Sequence, residues 1–305
     1  MGITEIQAFG LKFKNPVIAA SGTFGFAEEY NDFYDVEILG AVATKGLTLL
    51  PKKGNQGLRI LETPSGVMNS IGLQNPGIEN YIAEESKFLS SKNTIILANV
   101  GGDTTEEYVS AVSKLDEANE KKRIFDIIEL NISCPNVKCG GMAFGMTAED
   151  AGNITREIRK VTKKPLVVKL SPNAHDIVKV ALAVENAGAD GISAVNTFNA
   201  LEIDIYSKKS YFLNTTAGLS GPAIRPIALR MVREISKAVS IPVIGIGGIT
   251  DYRDAIKFIM AGAKLIEFGT ASFLNPTAGL EIVNGIEKYM KENGISNLEE
   301  ICGII

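Results

Sequence analysis

The sequence predicts an α/β protein: a (β/α)8 TIM barrel with long loop insertions on its C-terminal face. Eight short apolar runs alternate with segments of helical periodicity along the chain. The runs are mainly apolar and do not alternate with polar residues along their length, which indicates strands buried on both faces and therefore paired in parallel. The length of 305 residues suits one barrel of this kind. We therefore expect residues 1–305 to form a single domain.

The predicted strands and helices follow each other in strict alternation. The strands cover residues 16–20, 41–44, 94–98, 125–130, 165–168, 191–195, 242–246 and 264–268. The helices cover residues 104–118, 147–161, 174–187, 222–239 and 251–260, with closing helices near 279–291 and 297–301. Thr147 with Asp150, and Asp251 with Asp254, have the spacing of helix N-caps. Gly188 is placed to end one helix.

Two connections are too long to be turns, and both follow strands at the C-terminal face. They run over residues 46–75 and 197–221. Ile203 and Ile205 alternate with polar neighbours before residues 207–210, which predicts a small hairpin. Barrel active sites are built on this face, so we expect both loops to cover or bind a ligand.

Composition and charge exclude several classes of protein. The 31 basic and 35 acidic residues give a net charge of −4 without a basic stripe, which argues against nucleic acid. Cys134, Cys139 and Cys302 are too few for a disulfide framework and fit a reducing cytoplasm. The N-terminus lacks a signal pattern, and no apolar run approaches the roughly 20 residues that span a bilayer. We expect a cytoplasmic protein without membrane attachment.

The last two predicted strands end in glycine-rich turns, at residues 245–250 and 267–271. Loops after the seventh and eighth barrel strands commonly hold a phosphate through backbone N–H groups. We therefore predict a phosphate site at Gly247, Gly248, Gly269 and Thr270. The turn at 245–250 is not a dinucleotide fingerprint, because position 250 is threonine where a third glycine is required.

Polar side chains end several other apolar strands. Lys45 and Lys169 each close an apolar run, which modestly favours an anionic ligand over two lysines that reach solvent. Asn99, Asn131 and Asn196 lie at or just past strand ends. Their donors and acceptors suit a ligand with alternating C=O and N–H edges. Together these residues predict an anionic ligand with amide or imide groups.

Two loops carry further candidate chemistry. Cys134 follows a buried strand, where a thiol is either a small buried hydrophobe or an acid, base or nucleophile. The glycines of residues 69–77 permit backbone amides to face a ligand carboxylate. His175, the only histidine, is predicted to be an exposed residue near a helix cap, so neither a metal site nor a Ser–His–Asp triad is expected. Cys139 and Cys302 are predicted to be structural.

Three motifs closely resemble the class 1 dihydroorotate dehydrogenases, and the match runs over nearly the whole chain. They are residues 131–137 (Asn-Ile-Ser-Cys-Pro-Asn-Val), 69–77 (Asn-Ser-Ile-Gly-Leu-Gln-Asn-Pro-Gly) and 219–222 (Leu-Ser-Gly-Pro). The continuation 138–141 (Lys-Cys-Gly-Gly) resembles class 1B, whose catalytic subunit works beside an electron-transfer subunit. Class 1A continues with proline and glycine, and class 2 has a membrane-associating N-terminal helix and a serine base.

The resemblance implies roles for matching residues. It implies one FMN per chain, dihydroorotate as substrate, and Cys134 as the general base that removes the C5 proton while hydride leaves C6 for FMN. The implied cofactor-binding residues are Ser21, Lys45, Gly46, Asn99, Asn131, Lys169, Val195, Gly221, Gly247, Gly248, Gly269 and Thr270. The implied substrate-binding residues are Lys45, Asn69, Ser70, Ile71, Gly72, Leu73, Asn131, Asn196 and Thr197.

The resemblance also implies a partner. The chain has neither an NAD fingerprint nor a cysteine quartet for an iron–sulfur cluster. Class 1B membership implies that FAD and a [2Fe–2S] cluster lie on an electron-transfer subunit and that NAD+ is the final acceptor. It implies a heterotetramer of two catalytic and two electron-transfer chains built on a homodimer of this chain, which acts in pyrimidine (UMP) biosynthesis.

Four alternatives stay open at this point. The first is a class 1A-type homodimer that passes electrons to fumarate, and the second is a flavin barrel like that of the dihydropyrimidine dehydrogenases. The third is a non-redox aldolase in which Lys169 or Lys45 forms a Schiff base. The fourth is an inactive binding subunit, which the presence of Cys134 and both lysines disfavours.

Overall fold

The computed structural model describes residues 3–133 and 144–305, and short β-strands occur throughout both segments. The strands are β1 (Ile6–Ala8), β2 (Leu11–Phe13), β3 (Val17–Ala19), β4 (Ala41–Ala43), β5 (Ile60–Thr63), β6 (Gly66–Asn69), β7 (Ile95–Val100), β8 (Ile127–Asn131), β9 (Leu166–Lys169), β10 (Gly191–Ala194), β11 (Phe198–Ala200), β12 (Ile203–Asp204), β13 (Lys209–Ser210), β14 (Ala217–Ser220), β15 (Val243–Ile246) and β16 (Leu265–Phe268).

The helices fill the connections between barrel strands. They are α1 (Ile78–Asn80), α2 (Ser86–Ser90), α3 (Thr105–Lys121), α4 (Ala148–Val161), α5 (Ile177–Asn186), α6 (Arg225–Ala238), α7 (Tyr252–Met260), α8 (Ala271–Leu274) and α9 (Ala278–Glu292). Tyr81–Glu85 is a π-helical turn that joins α1 to α2. Short 3-10 turns cover Glu29–Asp32, Val36–Ile38, Pro222–Ile224 and Leu298–Glu300.

Eight parallel strands close into a barrel in the order β3-β4-β7-β8-β9-β10-β15-β16, and β16 pairs with β3. The predicted (β/α)8 fold is confirmed, and each predicted strand overlaps one barrel strand. Because every barrel strand is buried on both faces, its neighbours must be other parallel strands with helices outside them. That residues 1–305 form one domain stays a prediction.

The barrel strands alternate between two apolar layers. Ile18, Leu97, Ile127, Val167 and Leu265 belong to a cluster inside the barrel, together with Phe13 of the β1–β2 hairpin. The residues next to them in sequence belong to a second cluster, which packs against the helices. Side chains alternate across a strand, so residues two positions after an interior residue also point inward. This register decides what lies at the barrel mouth.

The two long loops meet in a second, four-stranded antiparallel sheet of order β11-β14-β6-β5. In it Asn69 of the first loop is paired with Gly218 of the second. The predicted hairpin is confirmed as β12–β13, where Ile203 pairs with Ser210. The larger sheet was not predicted, since it pairs segments about 150 residues apart whose own patterns are short and half-exposed.

The helices differ from the prediction in several places, among them the start of α6 at Arg225 and the end of α3 at Lys121. Helix α5 begins at Ile177 and not at residue 174, because the Asp176 side chain accepts from the amide of Lys179 and so caps the helix. The closing segment at 297–301 is a 3-10 turn with an Asn297 capping box. The helical stretch over residues 78–90 had no predicted counterpart. In the described part of the chain, no helix has the length and apolar character needed to cross a membrane.

Candidate active site

A polar layer lies directly above the apolar interior of the barrel. Its members each follow an interior apolar residue by two positions, and they are Asn99, Glu129, Lys169 and Glu267. Glu129 and Glu267 have no exposed surface, and Lys169 is 4% exposed. Carboxylates and an ammonium so deeply buried are stable only when they balance one another. The chain has therefore placed charge where the strand pattern alone would place another apolar layer.

Lys169 lies between the two buried carboxyl groups. Its Nζ is 3.1 Å from Glu267 Oε2 and 3.4 Å from Glu129 Oε2. Glu129 also accepts from Ser193 Oγ at 2.8 Å and from Asn99 Nδ2 at 2.5 Å. Glu267 Oε1 receives no hydrogen bond from an N–H or hydroxyl group of the described residues, although the two carboxyl groups share a hydrogen bond with each other. The two carboxyl groups thus receive very different numbers of donors.

The pKa values of this cluster diverge for that reason. Burial, followed by repulsion from Glu129, raises the pKa of Glu267 well above its usual value. Burial also raises the pKa of Glu129, but attraction to Lys169 and the donated hydrogen bonds outweigh it and leave that pKa below its usual value. Burial lowers the pKa of Lys169, and the two carboxyl groups reverse this and raise it. Lys169 is therefore an ammonium at neutral pH.

A chain of amides connects this cluster to the barrel mouth. Asn131 Nδ2 donates to Asn99 Oδ1 at 3.4 Å, and Ser133 Oγ donates to Asn131 Oδ1 at 2.7 Å. Asn196 Nδ2 in turn donates to Ser133 Oγ at 2.5 Å. The structure therefore brings together the three asparagines that the sequence singled out. Each amide uses its oxygen and one N–H within the protein, which leaves its second N–H for a ligand.

Lys45 and Gly46 lie beside this amide chain. Lys45 is partly buried, and its Nζ has no hydrogen-bond or ion-pair partner within the described residues. A side chain at Gly46 would place its Cβ 3.1 Å from Asn99 Oδ1, so the amide of Asn99 would have to shift to make room for it. A partly buried ammonium without a partner of its own is available for an anionic ligand.

The predicted phosphate loops come together at the ends of β15 and β16. Gly247 and Gly248 have φ of 130° and 74°, a region that favours glycine. Within the described residues, the backbone N–H groups of Gly247, Gly248, Gly269 and Thr270 donate to no acceptor of the chain. Free amides on glycine turns form an anion cradle. These residues therefore have the donors that a phosphate needs, and the phosphate site itself stays a prediction.

Neighbouring segments pack tightly on this cradle. A Cβ at Gly248 would lie 2.6 Å from the Gly221 carbonyl oxygen and 2.8 Å from Arg225 Cβ. Thr270 Oγ1 donates to Ser220 Oγ at 2.8 Å, which ties the loop after β16 to β14. Val195 N donates to the Ile246 carbonyl at 3.0 Å, so that Val195 also adjoins the cradle. Ser21 follows Ala20, whose Cβ would be 3.5 Å from a Cβ at Gly269.

Asp254 supports the cradle from helix α7, a role that sequence reasoning missed. Its Oδ2 accepts from Arg225 Nη1 at 2.8 Å and from Thr250 Oγ1 at 2.9 Å, and Lys257 Nζ is 3.1 Å from Oδ1. Burial raises the pKa of Asp254, but the hydrogen bonds from Thr250, Lys257 and Arg225 outweigh it and hold the pKa below its usual value. The sequence showed this residue only as part of a helix cap.

The first long loop is stapled by Asn75. Its Oδ1 accepts from the amides of Thr48 and Gly77 at 3.1 and 2.8 Å, and its Nδ2 donates to Thr48 Oγ1 and to the Leu73 carbonyl, both at 2.7 Å. Every polar atom of this buried side chain is thus used inside the loop. The sequence motif contained Asn75, but we had given it no role.

Residues 69–73, the predicted carboxylate loop, adopt an unusual backbone above the mouth. Gly72 and Leu73 have φ of 73° and 52°. A Cβ at Gly72 would lie 2.5 Å from Asn55 Oδ1, so Asn55 packs under the turn. Asn69 Nδ2 donates to the Gly218 carbonyl at 3.2 Å, and Ser70 Oγ accepts from Asn55 Nδ2 at 3.0 Å. Ile71 lies within this turn. Thr197 lies beside Gly218 on the adjoining strand.

Cys134 and Cys139 lie outside the described residues, so their predicted roles are untested. Both flanks of that segment are anchored at the mouth. Tyr108 Oη donates to the Asn131 carbonyl at 2.7 Å, and the Phe144 ring packs edge-on against the Tyr108 ring at 5.7 Å. His175 is exposed, as predicted. Among the described residues no group of His, Cys, Asp and Glu could hold a metal ion.

A further cavity lies at the opposite end of the barrel, away from this site. It has a volume of about 480 Å³ and is lined by residues that include Lys14 and Arg123. Lys14 Nζ already donates to the Glu37 and Asn93 carbonyls, both at 2.6 Å. Arg123 is paired with Asp126. Lys14 and Arg123 of this cavity are therefore already paired within the protein.

Comparison with known proteins identifies relatives over the full chain. A family model described as dihydroorotate dehydrogenase matches residues 3–290. A protein of Petrotoga mobilis named dihydroorotate dehydrogenase B (NAD(+)), catalytic subunit, is 59% identical over 302 residues and covers 99% of both chains. Proteins of the same name from Brachyspira hyodysenteriae and Thermoanaerobacter pseudethanolicus are 52% and 50% identical, over 99% and 98% of this chain and 99% and 97% of theirs.

A solved structure supports the fold independently. The crystal structure of DHODH from Eimeria tenella in complex with ferulenol superposes with a TM-score of 0.82, covering 99% of this chain and 88% of that one. The two sequences are 21% identical, so this likeness concerns the fold alone.

Proposed function

The chain belongs to the dihydroorotate dehydrogenase family, and on that premise we propose that it is the catalytic subunit of an NAD(+)-linked enzyme that oxidises dihydroorotate to orotate in pyrimidine biosynthesis. The observation that carries the proposal is the convergence of Asn99, Asn131, Asn196 and Lys169 on one barrel mouth, beside a cradle of free amides. Orotate has the imide edge and the carboxylate that such a set of donors and acceptors would recognise.

We infer that FMN binds this mouth, one per chain. Its phosphate would be held by the amides of Gly247, Gly248, Gly269 and Thr270, which have no acceptor within the described residues. Ser21, Gly46, Val195 and Gly221 would complete the cofactor pocket. When bound, FMN supplies the ring that accepts the hydride.

The chain's own residues would orient the substrate and manage its protons. Lys169, an ammonium in a dry site, would stabilise negative charge, and Lys45 would lie between cofactor and substrate. Asn69, Ser70, Ile71, Gly72 and Leu73 would hold the carboxylate, and Asn131, Asn196 and Thr197 the pyrimidine edge. Cys134 would take the C5 proton as the C6 hydride leaves, so that a C=C bond forms and two electrons depart.

The term "catalytic subunit" in the relatives' names supports a partner subunit for this chain. We propose that the partner carries FAD and a [2Fe–2S] cluster and passes the electrons to NAD+. We further propose a heterotetramer of two chains of each kind, built on a homodimer of this chain, in the cytoplasm. Ultracentrifugation of the co-purified complex tests the stoichiometry.

An absorption spectrum tests the central proposal. The purified protein should show a flavin band, and anaerobic dihydroorotate should bleach it. Uracil and dihydrouracil should not bind the protein and should not bleach the flavin band, because both lack the carboxylate. A colourless protein, or a flavin band that dihydroorotate leaves unchanged, would contradict the proposal.

A matched pair of glycine variants tests the phosphate cradle. Gly248→Ala puts a Cβ 2.6 Å from the Gly221 carbonyl oxygen, whereas Gly294→Ala meets nothing within 4 Å. Both glycines have positive φ, at 74° and 65°, so both variants pay similar backbone strain. We expect Gly248→Ala to weaken FMN binding at least tenfold and Gly294→Ala to leave it unchanged. Equal affinities in the two variants would place the phosphate elsewhere.

Replacing the thiol tests the proposed base. Cys134→Ala should bind FMN and orotate normally but reduce the flavin about a hundredfold more slowly, because general base catalysis contributes at least that much. Flavin reduction at the parental rate would remove Cys134 from the mechanism. The electron acceptor distinguishes this proposal from the class 1A alternative. Electrons should reach NAD+ only in the presence of the partner subunit, and fumarate should not serve as acceptor in place of NAD+.

A further inference from the structure

The eight barrel strands contain only three ionisable residues, and all three meet. Glu129 lies on β8, Lys169 on β9 and Glu267 on β16, while the other strands carry apolar residues, glycine, asparagine or serine. β16 lies three strands away from β9 around the barrel, yet Lys169 Nζ contacts both carboxyl groups within 3.4 Å. The cluster is therefore built across the barrel axis.

The charges of this cluster balance only if one carboxyl group is protonated. Two carboxylates and one ammonium would leave a net charge of −1 in a place without solvent, where an unpaired charge is strongly disfavoured. One protonated and one ionised carboxyl group leave a neutral cluster in which Lys169 keeps its positive charge. The pattern of donors decides which group holds the proton.

Hydrogen bonds assign the negative charge to Glu129. Its carboxyl oxygens accept from three donors: Lys169, Ser193 and Asn99. Glu267 accepts a hydrogen bond from Lys169 alone, and it shares a further hydrogen bond with the Glu129 carboxyl group, in which a protonated Glu267 is the donor. A carboxylate is stabilised by each donor, whereas a carboxyl group without donors keeps its proton.

We propose that Glu129, as the anion, and Glu267, as a neutral carboxylic acid, are positioning residues that together hold Lys169 as a fixed ammonium at the base of the active site. This inference rests on the proposed function of Lys169 at the cofactor. Glu129 also anchors Asn99, so the same carboxylate orients two residues proposed to contact FMN. Neither glutamate was singled out in the sequence.

The first consequence is a buried carboxylic acid that persists at neutral pH. Burial raises the pKa of Glu267, and it also raises the pKa of one aspartate, Asp116. Infrared spectroscopy of apoprotein labelled with ¹³C at its glutamate carboxyl groups distinguishes the acid band of Glu267 from that of Asp116, because only the glutamate band is shifted by the label. We expect one protonated-acid C=O band at pH 8 in the wild type. Absence of that band overturns the proposal, and no flavin is needed to see it.

Three variants assign the band. Glu267→Gln should abolish it, because the acid is gone. Glu129→Gln should also abolish it although Glu267 is present, because Glu267 must then ionise to balance Lys169. Glu299→Gln, which removes an exposed partner of Lys264, is the control and should leave the band unchanged. A band that persists in Glu129→Gln overturns the assignment of charge.

The second consequence concerns the charge that the cofactor meets. The ratio of oxidised to reduced FMN at a fixed applied potential should change less than about twofold in Glu267→Gln, since an amide replaces a neutral acid. In Glu129→Gln/Glu267→Gln no anion remains, Lys169 loses its proton, and the ratio of reduced to oxidised FMN should fall at least tenfold, about 30 mV for this two-electron couple. An unchanged ratio in the double variant overturns the positioning role.

The two measurements keep this inference separate from the proposed function. If the protein binds no FMN, the function fails while the infrared band of the apoprotein still tests the charge assignment. If the band is absent but dihydroorotate bleaches the flavin, the inference fails and the function stands. Should the double variant not fold, the single variants and the labelled wild type still decide between the two charge states.

Discussion

At the scale of single residues, the interior of this barrel depends on balanced charge. Lys169 is buried between two glutamates, and Asn75 is buried with both of its polar atoms satisfied. Such groups contribute little when fully paired and cost much when a partner is removed. Each therefore has a large expected effect on stability.

Removing the ammonium should destabilise the whole protein. In Lys169→Met two buried carboxyl groups lose their cation, so we expect the free energy of unfolding to fall by about 3–5 kcal/mol. Urea denaturation followed by circular dichroism measures it. Lys288→Met, which removes an exposed lysine of α9, is the control and should have almost no effect. Equal urea midpoints in the two variants would show that Lys169 is not electrostatically buried.

Removing the staple of the first long loop should affect both stability and ligand binding. Asn75→Ala leaves the amides of Thr48 and Gly77 without an acceptor, at a cost of about 2–4 kcal/mol. Because residues 69–73 adjoin the staple, orotate should also bind more weakly in a fluorescence titration. Asn80→Ala, at an exposed asparagine of α1, should change neither quantity. Orotate affinity equal to the wild type would separate the loop from the substrate site.

At the scale of elements, helices hold the segments around the barrel mouth through single side chains. Helix α7 presents Asp254 to Thr250 and to Arg225, and so connects the turn after β15 to the start of α6. Helix α3 presents Tyr108 to the end of β8. Both contacts join segments far apart in sequence. Loss of either contact should therefore change the shape of the barrel mouth.

Acid should cancel the contribution of Asp254. Its folded-state pKa lies below the ordinary value of 3.8, so its stabilisation is fully present well above that pH and is lost as the pH falls through the depressed pKa. Asp254→Asn should lower the free energy of unfolding by about 1–2 kcal/mol near pH 7, the low end because Arg225 and Lys257 are partly exposed. Urea melts at several pH values measure the difference.

The difference between wild type and Asp254→Asn should shrink toward zero at the lowest pH at which the protein stays folded. Asp103→Asn removes an exposed partner of Lys52 and serves as the control, with a small effect at every pH. A difference for Asp254→Asn that does not vary with pH would show that its charge is not what holds the turn.

At the scale of the whole molecule, the barrel and the two long loops form one site. The cradle is made by β15, β16 and the start of α6, and the mouth sheet combines both loops. A ligand that contacts all of these should stabilise the folded state as a whole, because it binds the folded chain and not the unfolded one.

FMN should therefore raise the melting temperature of the apoprotein. At a free concentration of one hundred times Kd the gain is about 2.7 kcal/mol. Differential scanning calorimetry measures the shift. Riboflavin, which lacks the phosphate, is the matched ligand and should produce a much smaller one. Equal shifts with both ligands would mean that the glycine cradle does not hold the phosphate.

Much of the architecture was predictable because it follows from patterns of residues that are close in sequence. Eight apolar runs indicated eight buried parallel strands, and the glycine turns after the last two strands indicated an anion cradle. Asn99, Asn131 and Asn196 were placed together by the rule that parallel strands end at one face. Asp176 and Asn297 moved helix boundaries by a few residues, because capping is decided by side-chain geometry that periodicity does not contain.

The sequence by itself therefore determined the barrel, the face that carries the site and the family to which the chain belongs. Only the tertiary structure decided that Glu129, Lys169 and Glu267 meet, that Asp254 braces the cradle, and that the two long loops form one sheet. The reason is physical. Strand and helix periodicities depend on neighbours in sequence, whereas a buried charge depends on partners that closure of the barrel brings from distant strands.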